Sequence, residues 1–217
     1  TKMSSRLSSA NCGIKRCNFS TAPHMTPRIL LINPPIYDLS AYDFWLKPYG
    51  LLRAAGFLRG KAEFSVFDFL DRFDGRVPPG NYRSDNWGRG QFYSENCDKP
   101  AIFAPIRRRF RRFGLPRAAF QRFIADHAPF DYALVQTSMT YWYPGVAEII
   151  RELRALAPTT KIVLGGVYAT LCPDHARSLG ADLVVEGTDL APLWRFLELQ
   201  PDNDELPLWD LYPTLTT

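Results

Sequence analysis

Lys161-Ile-Val-Leu-Gly-Gly166, with Asp131-Tyr-Ala-Leu-Val-Gln136 before it and Pro144 to Ala157 between the two, decides the fold. Both runs are short and continuously apolar, the pattern of strands buried on both faces. The segment between them places Val146, Ile149, Ile150 and Leu153 at helical spacing, opens on Pro144 and is ended by Pro158. Strand, helix and strand at this spacing form a crossover unit, whose two strands lie parallel.

The same rhythm extends in both directions. Upstream, Arg28-Ile-Leu-Leu-Ile-Asn33 is a strand ended by Pro34-Pro35. Tyr49 to Arg59 carries Leu51, Leu52, Ala55 and Leu58 on one helical face, and Phe64 to Leu70 is a second strand. Arg117 to Ala128 is helical, with Phe120, Phe123 and Ile124 together. Downstream, Pro173 to Leu179 is a short helix stopped by Gly180, Ala181 to Val185 is a fifth strand, and Leu190 to Leu199 is a last amphipathic helix. Five strands, each followed by a helix, predict a flavodoxin-like α/β domain over 28–199: a doubly wound parallel sheet of order 2-1-3-4-5. Residues 71–116 break the rhythm with turn chemistry, Val77-Pro-Pro-Gly-Asn81 and Trp87-Gly-Arg-Gly90. That stretch exceeds the roughly 12–15 residues of an idle loop, so it reads as a functional or domain-contacting insertion.

The flanks differ from this body. Residues 1–27 hold five serines and several cations, with no acid before Asp38. They resemble a transit peptide in composition, or an extension upstream of a natural start at Met25, and the extension is the favoured reading. Residues 200–217 are rich in Pro and Asp and read as a linker.

Composition narrows the classes. The chain has 217 residues, 46% hydrophobic and 22% charged, an ordinary globular balance. No apolar run approaches the ~18–20 residues that span a bilayer, so a soluble protein is expected. Cys12, Cys17, Cys97 and Cys172 make no CxxC pair and the three histidines are scattered, so neither a disulfide framework nor a structural zinc site is expected. The thiols read as free and the compartment as reducing, hence cytoplasmic. The net charge of +4 is local: seven arginines fall within 107–122, which has no acid, and without them the chain stands at −3. RNA or phosphate contact, a solvated helix face and a surface for another domain all fit that run; the last two are favoured over nucleic acid.

In a doubly wound sheet the ligand sits beyond the carboxyl ends of the strands, at the switch point between the first and third. Four loops fall at that edge: Asn33, Pro34, Pro35, Ile36 and Tyr37; Thr137, Ser138, Met139, Thr140, Tyr141, Trp142 and Tyr143; Gly165, Gly166, Val167, Tyr168, Ala169 and Thr170; and Glu186, Gly187 and Thr188. They combine small residues, hydroxyls and aromatics. None holds an acidic cluster for magnesium or a GxGxxG or GxxxxGK[ST] phosphate cradle. Flat walls with neutral hydrogen-bonding groups suit a large, mostly neutral, planar ligand with amide groups. Plain alternatives stand beside this reading: Thr140 could cap the helix at Pro144, and Gly165-Gly166 could be a tight turn.

Ile32-Asn-Pro-Pro35, Tyr42-Asp-Phe-Trp-Leu-Lys-Pro-Tyr-Gly-Leu-Leu52, Thr137-Ser-Met-Thr-Tyr-Trp-Tyr-Pro-Gly145 and Leu164-Gly-Gly-Val-Tyr-Ala-Thr170 resemble the N-terminal cobalamin-binding domain of cobalamin-dependent radical S-adenosylmethionine proteins. Trp87-Gly-Arg-Gly90, Lys99-Pro100 and Arg111-Arg-Phe-Gly-Leu115 resemble insertion elements of one subgroup, so the likeness runs over about 28–215. It implies cobalamin at the strand ends, its nucleotide tail between the first and third strands, with the Ser138 and Gly165-Gly166 loops making room. It also implies a second domain, carrying an iron–sulfur cluster and S-adenosylmethionine, against the upper face; such enzymes often move methyl groups. Two departures qualify it. Many cobalamin domains carry DxHxxG after the first strand, whose His ligates cobalt; here the loop is Asn33-Pro-Pro-Ile-Tyr-Asp38, so a His ligand is not expected, and His127 and His175 read as surface or helix-end residues. The cluster motif CxxxCxxC is absent, and Leu206 to Thr217 resembles the linker into that domain. The chain is thus expected to be a binding module without catalytic residues of its own.

Overall fold

The computed structural model describes residues 26–45, 47–203 and 206–212. In chain order the elements are β1 (Arg28–Asn33), β2 (Ile36–Asp38), α1 (Tyr49–Gly56), β3 (Glu63–Asp68), β4 (Ser94–Asn96), β5 (Arg111–Phe113), α2 (Arg117–His127), β6 (Tyr132–Thr137), α3 (Tyr143–Leu156), β7 (Lys161–Gly166), α4 (Val167–Leu171), α5 (Pro173–Ser178), β8 (Leu183–Val185) and α6 (Ala191–Leu197). Short 3₁₀ turns at Ala101–Phe103, Thr140–Trp142 and Trp209–Leu211 complete the set.

Five strands form one parallel sheet in the order β3-β1-β6-β7-β8, the flavodoxin-like arrangement expected. Successive residues of each strand go to opposite faces, and both faces are covered. On one, Leu30, Ile32, Val135 and Leu164 meet Phe120 and Ile124 of α2 and Ile149 and Leu153 of α3. On the other, Ile29, Leu31, Leu134 and Val163 meet Leu51 and Ala55 of α1 and Leu193 and Leu197 of α6. This two-sided burial is why the strands read as unbroken apolar runs.

The insertion is more regular than its sequence suggests. β2, β5 and β4 form a small antiparallel sheet in that order, with Tyr37 opposite Arg112. Part of the stretch read as a ligand loop after Asn33 is therefore a strand. The seven-arginine run also needs correction. Arg112 is 3% exposed and grips the buried Glu148 of α3 through Nε (3.0 and 3.1 Å) and Nη2 (2.8 Å), while its Nη1 donates to the Leu115 carbonyl (2.7 Å). Arg117 reaches Glu148 and Glu152. Two of the seven are thus internal bonds that clamp the insertion and α2 onto the parallel domain.

The stretch from residue 200 that read as a linker packs back on the domain through residue 212. Leu208 is buried against α1, its N–H donating to the Leu52 carbonyl (3.0 Å), and buried Tyr212 donates to Asp68 at the end of β3 (3.0 Å). Apart from residues 26 and 27, the N-terminal extension lies outside the described residues, as do Cys12 and Cys17. Among the described residues no helix is long and apolar enough to cross a membrane.

Candidate functional site

A cavity of about 410 Å³ opens at the carboxyl ends of β6, β7 and β8, on the sheet face covered by α1 and α6. Leu51, Ala54, Leu134, Val163, Val185 and Leu193 make its apolar walls. Gln136, Ser138, Gly165, Gly166 and Thr188 line its polar part, and Lys47 and Arg53 also face it. Its size and its mix of apolar walls with a few polar groups are those of a small-molecule site.

The glycine pair divides into two roles. Gly166 is structural: its φ is +116°, and a Cβ there would lie 2.2 Å from the Thr137 carbonyl oxygen. Gly165 has neither constraint. A Cβ on it would meet only the Val185 Cβ, at 3.8 Å, an ordinary contact. Backbone sterics do not demand glycine there; what its absent side chain provides is open cavity.

The predicted residues sort by what their polar atoms already do. The Thr137 hydroxyl is used up, donating to the Gly165 carbonyl (3.1 Å) and accepting the Ala169 N–H (3.0 Å). Thr170 likewise donates to the Gly166 carbonyl and accepts the Gly187 N–H, both at 2.9 Å, so it ties the loop after β8 to α4. Glu186 is exposed and paired with Arg177. Tyr168 and Ala169 belong to the core, with the Tyr168 hydroxyl on His175 Nδ1 (2.5 Å) and burial raising that phenol to about 12. Ser138 differs: its hydroxyl lines the cavity with no partner among the described residues, as do the Gln136 amide and the Thr188 hydroxyl. Thr140 does not cap α3. Met139, Tyr141 and Val167 are exposed at the strand ends, and Val167 lines the cavity together with exposed Tyr49.

The switch point itself is closed. Asn33, Pro34, Pro35, Met139 and Trp142 surround only about 20 Å³. Asn33 Nδ2 is bonded to Asp68 (2.7 Å), and α3 presses so close that a Cβ on Gly145 would lie 1.9 Å from the Pro35 carbonyl oxygen. Tyr37 donates to Glu148, and burial with that carboxylate pushes its phenol up to about 12. The room for a ligand therefore lies over β6 to β8, one strand farther than the first-to-third-strand rule puts it.

Sequence reasoning missed Lys47, just before α1, and Tyr49, Gly50 and Arg53 in its first two turns, which border the cavity, together with Gln136; Thr188 stood in the loop read at that edge. The block Tyr42 to Leu52 was the available signal, since its Lys-Pro-Tyr-Gly leads into that helix. Lys47 also spans two groups outside the cavity: its ammonium is 3.1 Å from Asp71 and 3.9 Å from Asp68. Burial raises the Asp68 carboxyl to about 6, against the opposing pull of Lys47 and of the Leu70 and Asn33 hydrogen bonds.

His127 ends α2, and His175 is exposed and engaged with Tyr168, so among the described residues no imidazole lines the cavity. Among the described residues no group of three or more His, Cys, Asp or Glu is placed to hold a metal ion. The cavity combines largely apolar walls with the neutral groups of Gln136, Ser138 and Thr188 and the cationic Lys47 and Arg53. No protein-family model matches the chain, and no curated protein is significantly similar to it.

Proposed function

We propose that this chain is a cobalamin-binding module of a radical S-adenosylmethionine enzyme. The observation that carries the reading is the slot over Gly165, a site kept free of a side chain where backbone geometry would accept one. It lies within the block Leu164 to Thr170 and beside Thr137 to Gly145, two of the segments that carry the family likeness. Leu51, Ala54, Val163 and Val185 would take the apolar bicyclic base of the nucleotide tail, and Gln136, Ser138 and Thr188 its polar edges. Arg53 on the cavity wall would bring a cation near the phosphate of that tail, while the Lys47 ammonium at the same wall is held by Asp71 and Asp68. The exposed Met139, Tyr141 and Val167 at the strand ends would give the corrin and an adjoining domain apolar groups to meet. Bound corrinoid supplies a cobalt centre able to carry a methyl group; this chain's residues hold and orient it, and the cluster and S-adenosylmethionine belong to the adjoining domain.

The test is uptake of hydroxocobalamin. The purified chain is mixed with an excess of the corrinoid and desalted. Stoichiometric retention of the visible corrin absorbance is expected. A folded sample, judged by circular dichroism, that elutes colourless would overturn the reading.

A further inference from the structure

The connection between β4 and β5 covers residues 97–110, far longer than the 2–5 residues a hairpin needs. It is nonetheless held in shape. The Cys97 N–H donates to the Phe110 carbonyl (3.2 Å) and closes its neck, and the Lys99 ammonium donates to the Ile106 carbonyl (2.8 Å) across it. Phe103 stacks on buried Phe110 with ring centroids 5.8 Å apart. A long, internally stapled loop that adds little to the core is built to present its surface.

That surface has a definite chemistry. Arg107, Arg108 and Arg109 are exposed and line, with Lys99 and Asn96, one open concavity of about 470 Å³. None of the three guanidinium groups has a hydrogen bond or ion pair among the described residues. Elsewhere Arg72, Arg76, Arg89, Arg154 and Arg177 each pair with a carboxylate. The single acid of the loop, Asp98, does not line the concavity, and Glu95 is taken by Tyr93 (2.9 Å). The same loop exposes Ile102, at 80%, and Ile106, at 41% and next to Arg107 in the chain.

We infer that the 97–110 loop is a docking surface for a protein partner presenting acidic side chains around an aliphatic contact. Three adjacent unneutralised cations repel one another until a partner brings the opposite charge. Aliphatic side chains beside arginine match the make-up of protein interfaces, where Arg is enriched and the buried centre is apolar. Single-stranded nucleic acid needs exposed rings on which bases stack, and this loop shows none: Phe103 is covered by Phe110.

The probe is a fluorescently labelled peptide of repeating Glu-Leu, read by anisotropy against the full chain. A Lys-Leu peptide of equal length and a labelled single-stranded RNA serve as comparisons. Binding of the Glu-Leu peptide alone is expected, weakened about tenfold or more in R107E/R108E/R109E and about threefold in Ile102→Ser. Circular dichroism and the urea midpoint should be unchanged; where the triple variant misfolds, Arg108→Glu alone is read in its place. The inference is overturned by absent peptide binding, by binding that neither variant weakens, or by RNA binding tighter than the peptide. None of these outcomes depends on corrin retention, so the two readings stand or fall separately.

Discussion

Replacing Arg112 by Met should cost more than any other single change to the insertion. The guanidinium is 3% exposed and the Glu148 carboxylate 1%, and they share three N–O contacts of 2.8 to 3.1 Å. Burial works against the charge of Glu148, but the hydrogen bonds and charge of Arg112 outweigh it and hold the carboxyl below its ordinary range. Without Arg112 that carboxylate keeps only Tyr37 and the half-exposed Arg117, at 3.3 Å. Stranding one charge of a buried pair costs about 3–5 kcal/mol. Removing both charges together, as Arg112→Met with Glu148→Leu, is far gentler, because an apolar pair of similar volume is often neutral. It is not free here, since the Leu115 carbonyl and the Tyr37 hydroxyl lose a partner at about 1 kcal/mol each. The double variant should therefore recover about a third to three fifths of the loss, with a coupling energy of about 2 kcal/mol or more. Urea unfolding at neutral pH, followed by far-UV circular dichroism, measures all four corners of the cycle. Strictly additive single effects, or an Arg112→Met loss below about 1 kcal/mol, would show that the pair is not desolvated and refute the clamp.

Other outcomes follow from the same structure. Asp68 has its carboxyl raised by burial from 3.8 to about 6, so its contribution to stability is full below about pH 4 and is lost as pH rises through about 6, a swing of about 3 kcal/mol. Asp68→Asn should lack that loss, and urea midpoints of both proteins across this range measure it; parallel curves would refute it. Gly165→Leu should fold normally, because the site is open and its backbone ordinary, yet fail to retain hydroxocobalamin on desalting. Tyr168→Phe should lose about 1 kcal/mol with its His175 hydrogen bond but retain the corrinoid fully, as expected of a core residue rather than a ligand contact.

The sheet was legible because its signal is cumulative. Strand and helix periods repeat from Arg28 to Leu197, and each crossover limits the next strand to one place. The three-stranded sheet was not, because three residues such as Arg111-Arg-Phe113 carry no period. Their pairing is fixed from outside, by Glu148 on a helix far along the chain. The Arg112 charge looked like surface for the same reason: a run of arginines says nothing about which member has a buried carboxylate opposite it. At the site, loop composition selected the edge at which the cavity opens, and Ser138, Gly165 and Gly187 all border it. It could not separate Thr137 from Ser138, neighbours of similar chemistry, because the difference is that one hydroxyl already holds β7 and α4.

That difference gives the segment after β1 a specific role. Asn33 is fixed to Asp68, Pro35 is pressed against Gly145, and Tyr37 is bonded to Glu148, so three consecutive anchors join it to β3 and to both ends of the first half of α3. A segment held at three points this way has little freedom to move. The opposite wall has the reverse character. Thr188 is exposed and unpartnered, and the loop after β8 is tied to α4 through the Gly187 N–H on Thr170. Any opening of the cleft to admit a ligand therefore falls to the α6 side, with β1 and α3 as the fixed frame. Asn-Pro-Pro is thus a marker of the frame, and the residues that line the open cleft, Gln136, Ser138, Gly165 and Thr188, lie beyond it over β6 to β8.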